Sequence, residues 1–299
     1  MGSVGGEAGR RPDGQGMDET SAATVRDAWY CIGAGREVAG VPARSHLLGE
    51  EIVAVRGRDR TVGVTGGGGR RLPVRERYGM VWTTLGEPVR EIVEIPEAGE
   101  SDRRVVPCGA VTVNASGLRI VENFLDMAHF PFVHTDILGA EPHTEVRQYK
   151  AEIRRDVDEV WATDCGFFQP RAAMSARDGI MVDYVYRVAS PFAVLLYKTA
   201  PASPDRSDVI CLFVQPMAPD RCRAHPLLML IDEAASEEAL IAFQQMIFLQ
   251  DRIILENQRP RLLPLEPRAE IPTRADASSI AYRRWLKEKG VTYGTTAGA

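Results

Sequence analysis

The stretch Glu122–His134, ENFLDMAHFPFVH, decides how the rest of the chain is read. Asn123, Asp126 and His129 recur every third residue, which on a helix places them on one slowly drifting polar stripe. Ile120, Phe124, Leu125, Met127 and Phe130 flank that stripe. Solvent-facing stripes are usually built from Lys, Glu and Arg, so Asn, Asp and His between apolar neighbours point to a buried polar network that needs partners. His134 lies five residues past His129, about 140° around an ideal helix, and both imidazoles reach one point only if the helix breaks between them. Pro131 is positioned to break it.

A second conspicuous group lies far along the chain. Asp251 in LQDRIILENQ (249–258) shares a helix face with Ile247, Phe248, Ile254 and Leu255. An ionised carboxylate on such a face is costly unless it is paired or binds a cation. From the residues alone two readings stand: an arginine partner for Asp251 with a hydrogen-bonded core histidine, or two imidazoles and one carboxylate converging on a metal ion. The second is the facial set that leaves coordination positions of Fe(II) open for oxygen and substrate.

Outward from these segments, short β-like runs (AWYCI, EEIVAVRG, RTVGV, YGMVWTTLG) broken by Gly and Pro predict a small all-β module over residues 24–98. Residues Met1–Ala23 read as a flexible tail. After Val111 the apolar period becomes helical, and LRIVENFLDMAHF predicts a helix ending at Pro131. EVWATDCGFF, MVDYVYRVA, FAVLLYKTA, VICLFVQPM and HPLLMLI then predict antiparallel strands, and a long helix capped by Ser236 runs to about Gln258 with Leu240, Phe243, Ile247 and Ile254 as its apolar stripe. The expected class is α+β, a helix-grip-like domain over 99–299 with an antiparallel sheet and flanking helices. Its cavity is expected among Phe167, Phe168, Tyr184, Tyr186 and Tyr197, which offer apolar walls and hydroxyl handles.

Composition excludes several classes. The chain has 299 residues, 44% of them hydrophobic, with a net charge of −5 and no basic cluster, which speaks against nucleic acid as a partner. No apolar run approaches the roughly 18 residues of a membrane span, so a cytoplasmic location without membrane contact is expected. The five cysteines have no framework spacing and read as small buried hydrophobes. Gly33-Ala-Gly35 lacks the third glycine of a dinucleotide turn, and no nucleophile elbow or phosphate loop is present.

ENFLDMAHFPFVH resembles the E-N-x-x-D-x-x-H-x-x-x-x-H motif of Rieske-type non-heme iron oxygenases, the aromatic-ring oxygenases and O-demethylases. AWYCIGAGREV and RERYGMVWTTLGEP resemble segments bracketing that family's Rieske domain, and ADASSIAYRRWL its C-terminal end. The resemblance implies a mononuclear Fe(II) bound by His129, His134 and Asp251. In that family the aspartate matching Asp126 bridges the two metal centres through the histidine matching His129. Here, with no cluster ligands, that route is closed; Asp126 is expected to orient His129, and Asp126 and Asn123 are the candidate catalytic residues. One departure is plain. The two Cys and two His of a Rieske cluster belong between Val64 and Leu72, where this chain has TGGGGRR, and His46, Cys31 and Cys108 are the only His and Cys before His129. The β module is therefore expected to be truncated and without a [2Fe-2S] cluster, and Cys222 and His225 have no matching half.

Three functions follow as expectations. One is an iron oxygenase acting on a natural-product or aromatic small molecule, with O2 as co-substrate and electrons from the substrate or an external donor. The second is a redox-neutral cyclase or isomerase in the same cavity. The third is a non-catalytic partner of a complete oxygenase subunit. With the cluster lobe missing, the expected assembly is a monomer or weak oligomer.

Overall fold

The computed structural model describes residues 25–172, 179–231 and 234–298; the expected tail at Met1–Ala23 lies outside them. Seven short strands come first: β1 (Tyr30–Ala34), β2 (Ala43–Leu47), β3 (Glu50–Arg56), β4 (Val62–Thr65), β5 (Arg71–Leu72), β6 (Val74–Arg77) and β7 (Met80–Thr83). They make two antiparallel sheets, ordered β1-β7-β6 and β2-β3-β4-β5. The glycine run closes β4 onto β5 as a tight turn in which Gly66 N–H donates to Arg70 O at 2.8 Å. Gly68 and Gly69 both have positive φ, 66° and 77°, a conformation that two successive non-glycine residues would resist.

The chain then enters a larger sheet through β8 (Arg103–Pro107) and β9 (Val111–Val113). Two helices follow, α1 (Gly117–Leu125) and α2 (Phe130–Val133), before the meander β10 (Lys150–Arg154), β11 (Glu159–Gln169), β12 (Ile180–Ser190), β13 (Ala193–Ala200), β14 (Ser203–Ala218) and β15 (Arg221–Ile231). Helices α3 (Glu237–Asn257) and α4 (Ala277–Glu288) complete the chain. The strand order is β10-β11-β12-β13-β14-β15-β8, with β9 also on β15, and every pairing is antiparallel. Mixed α and β structure around antiparallel sheets is the class the sequence predicts.

The central strands β14 and β15 are buried on both faces, which is why Val209–Val214 and Leu227–Ile231 read as unbroken runs rather than alternations. On one side Cys31, Met80 and Trp82 of the small sheet pack against Leu195, Val209, Phe213 and Met229. Main-chain bonds from Leu48 and Gly49 to Pro216 O and Met217 O, at 2.7 and 2.9 Å, tie the second small sheet to β14. The other side carries α1, α4 and the core that frames the polar site. All five cysteines are buried and unpaired.

Two details depart from expectation. The helix predicted to run to Pro131 ends at Leu125, and Asp126 takes an extended conformation (φ −87°, ψ 128°). Pro131 opens the next helix instead of ending the first, because the opening turn needs no N–H from it. In α3, Ser236 caps as predicted by accepting from Ala239 N–H, but Ile254 is 50% exposed, so the apolar stripe turns outward at its C-terminal end.

A buried cluster of two histidines and an aspartate

The break at Asp126 assembles the site. Having left the helix, the Asp126 carboxylate accepts from Ala128 N–H at 2.8 Å and from His129 Nδ1 at 2.9 Å. His129 caps α2 and His134 ends it, so one helical turn plus the break brings both rings together. Their Nε2 atoms are 3.2 Å apart. Helix α3 delivers Asp251, whose Oδ1 lies 3.3 Å from His129 Nε2 and 3.0 Å from His134 Nε2. Among the described residues, this is the one group of three His, Cys, Asp or Glu side chains placed to hold an ion.

The second nitrogen of each ring determines what the cluster can do. Asp126 occupies Nδ1 of His129, and Gln250 Oε1 accepts from Nδ1 of His134 at 2.8 Å. Both Nε2 lone pairs are thereby directed at each other and at a carboxylate oxygen. Three acceptors crowded this closely in a buried site repel one another unless a cation or a proton lies among them. Donor atoms about 2.1 Å from one ion and at right angles stand about 3 Å apart, so spacing and donor type both fit a divalent cation.

Without an ion, a proton takes that place. Burial works against a charged His129, but its bonds to Asp126 and Asp251 prevail and raise it to about 9. Burial likewise works against an ionised Asp251, and the two histidines override it, holding the carboxyl at about 2.

The cluster borders a cavity of about 110 Å³ walled by Phe124, Phe130, Tyr184, Tyr186, Leu196 and Phe248. Of the aromatic residues expected there, Tyr184 and Tyr186 line it. Phe167 sits behind Phe130 with ring centres 5.4 Å apart, and Phe168 faces outward against His143. Tyr197 is on the opposite face of the sheet beside Arg187, because its strand presents Leu196 and Lys198 to the cavity and the side-chain period is two. Asn123 borders both this cavity and a wider outer groove of about 670 Å³ that exposes Asp126.

The family model for the vanillate O-demethylase oxygenase C-terminal domain matches residues 113–291. The probable methylxanthine N7-demethylase NdmC of Pseudomonas sp. (strain TJI-51) is 46% identical over 275 residues, 92% of this chain and 98% of that protein. The chain belongs to the Rieske-type non-heme iron oxygenases. A more distant member, methylxanthine N1-demethylase NdmA of Pseudomonas putida, is 27% identical over 73% of this chain and 60% of its own length. Among solved structures of these oxygenases, Pseudomonas putida CBB5 NdmA with caffeine superposes with a TM-score of 0.73 at 19% identity, over 91% of this chain and 93% of that one. Dicamba monooxygenase bound to 3,6-dichlorosalicylic acid gives 0.69 at 17% identity over 89% and 98%. At such identities the likeness is one of fold.

This oxygenase chain, a member of an oxidoreductase family that uses mononuclear non-heme iron, also has site-supporting residues that patterning misses. Gln250 is one; its only signal is adjacency to Asp251. A second group is an ion-pair network behind the motif: Arg119 Nη1 and Nη2 reach Glu122 at 3.2 Å and Glu270 at 2.6 Å, and Arg283 Nε reaches Glu122 at 2.5 Å. Glu122, the first residue of the motif, thus anchors α1 to α4 rather than facing the cluster.

Proposed function

We propose that this chain is an iron(II)-dependent oxygenase that removes an N-methyl group from a small planar heteroaromatic of the methylxanthine class, using electrons from a separate iron–sulfur donor. The observation carrying this reading is the convergence of His129 Nε2, His134 Nε2 and Asp251 Oδ1, three acceptors within 3.0–3.3 Å of one another. These three residues would hold the ion. Bound iron would supply activation of O2. Overall the N–CH3 bond breaks, and substrate, O2, two electrons and two protons give the N–H product, formaldehyde and water.

The protein's own groups have distinct tasks in this scheme. Asp126 and Gln250 keep the Nδ1 protons in place, so that both Nε2 lone pairs stay available. Phe124, Phe130 and Phe248 exclude water and hold the ring, and Asn123 borders it. The substrate class is supported by the names of the relatives, above all the N7-demethylase at 46% identity.

The electron source follows from the segment 64–72, which offers neither Cys nor His to a cluster. Asp126 is reached from the outer groove, whose walls carry Arg268, Arg284 and Lys287 beside Ile271 and Ile280. That groove is the route by which a separate donor would approach His129. Tailoring of a biosynthetic intermediate would use the same site with another substrate.

The test is a reconstitution: iron-loaded protein, 7-methylxanthine, O2 and a reduced iron–sulfur reductase. One formaldehyde per substrate consumed is expected. Iron bound at the site with no product from any methylxanthine would end the demethylase reading.

A further inference from the structure

Tyr184 and Tyr186 stand two residues apart on β12, on the face turned toward the site cavity, and are 2% and 1% exposed. The Tyr186 hydroxyl has no hydrogen-bond partner, and the Tyr184 hydroxyl has Gln169 beside it. Other core tyrosines are not left so: Tyr30, Tyr149 and Tyr282 donate to Val25 O, Ala275 O and Pro191 O at 2.6, 2.6 and 2.7 Å. Tyr293 is also without a partner, but it lies away from this cavity. A buried hydroxyl without a partner is unfavourable unless something else completes it.

The surroundings restrict what that can be. Burial pushes both phenols well above 10, so each is a protonated donor at neutral pH. The charged residues on the wall outside the His-His-Asp cluster, Arg171 and Lys198, are donors as well. Phe124 meets Tyr186 edge-on at 6.2 Å and Phe130 meets Tyr184 at 6.4 Å, leaving flat apolar surfaces beside the hydroxyls. The volume of about 110 Å³ is smaller than the roughly 150 Å³ that takes up benzene, so the leading edge of a substrate ring, not the whole molecule, is what reaches these groups.

We infer that Tyr186, with Tyr184 beside it, donates a hydrogen bond to a carbonyl oxygen or ring nitrogen of the substrate, so that the site selects rings bearing an acceptor over hydrocarbon rings of the same shape. This specificity role rests on the reading above only in taking the cavity as the substrate site. A site built to complete a hydrogen bond rejects the analogue lacking it more strongly than an apolar pocket rejects a missing methyl.

The experiment compares binding of N-methyl-2-pyridone and toluene to the metal-loaded full chain without O2, by calorimetry, for wild type, Tyr186→Phe and Tyr184→Phe. Wild type should favour the pyridone by about tenfold or more, and Tyr186→Phe should abolish that preference while leaving toluene binding unchanged. Its melting temperature should not fall, since the hydroxyl has no protein partner to lose. Equal wild-type binding of the two probes, a preference that survives in Tyr186→Phe, or a lowered melting temperature would overturn the assignment. Binding of 7-methylxanthine is measured in parallel: its absence alongside an intact pyridone preference removes the methylxanthine reading and leaves the tyrosine role standing.

Discussion

His129 and His134 face each other through Nε2 atoms 3.2 Å apart, while their Nδ1 atoms are committed to Asp126 and Gln250. That relationship leaves the two Nε2 atoms facing the space beside Asp251, where either an ion or the proton that His129 holds at neutral pH can lie. Asp251 closes the triangle and adds the negative charge that a cation requires.

Removing any corner of that triangle should therefore release the ion. In His129→Ala, His134→Ala or Asp251→Ala, iron measured by mass spectrometry after anaerobic loading should fall from about one per chain to below about a tenth. Full retention in Asp251→Ala would show that the ion is held elsewhere.

Metal affinity should depend on pH with a definite sign. Without metal, His129 keeps its proton up to about pH 9, and an incoming ion must displace it. Asp251, at about 2, is already ionised at any pH of interest and adds no dependence. Affinity should then rise about tenfold per unit between pH 6 and 8 and level off above about 9, as Co(II) titration can follow. A flat profile would mean that the Nε2 of His129 carries no proton to lose.

The Nδ1 acceptors should matter without being ligands. Gln250→Leu removes the acceptor that orients His134, and Asp126→Asn replaces a carboxylate by a neutral amide. Each should weaken metal binding by about 10-fold to 100-fold while leaving a single site per chain. In Asp126→Asn, turnover should drop further than metal loss accounts for, read as product formed per bound iron.

The network behind the motif should govern stability. Arg119 is 1% exposed and bonds to both Glu122 and Glu270. Arg119→Met leaves Glu122, itself nearly buried, with Arg283 alone, and should cost about 3 kcal/mol in denaturant unfolding. A change within about 0.5 kcal/mol would show that Arg283 alone satisfies both glutamates.

Local chemistry made much of this protein legible in its sequence. The doubly buried strands appear as unbroken apolar runs, the Ser236 cap as a serine ahead of two acids, and the glycine turn as a run with no side chain to pack. His129, His134 and Asp126 lie within nine residues, so their spacing alone brings them forward as a group. Only the tertiary structure decided the rest, since it depends on distant segments meeting. Gln250 reaches His134 across 116 residues, and no periodicity in α3 marks it as a partner. Which tyrosines enter the cavity turned on strand register, where one residue separates the inner face holding Leu196 and Lys198 from the outer face holding Tyr197. The helix broke at Asp126 and not at Pro131 because the Asp126 side chain, once out of the helix, could satisfy both Ala128 N–H and the His129 ring.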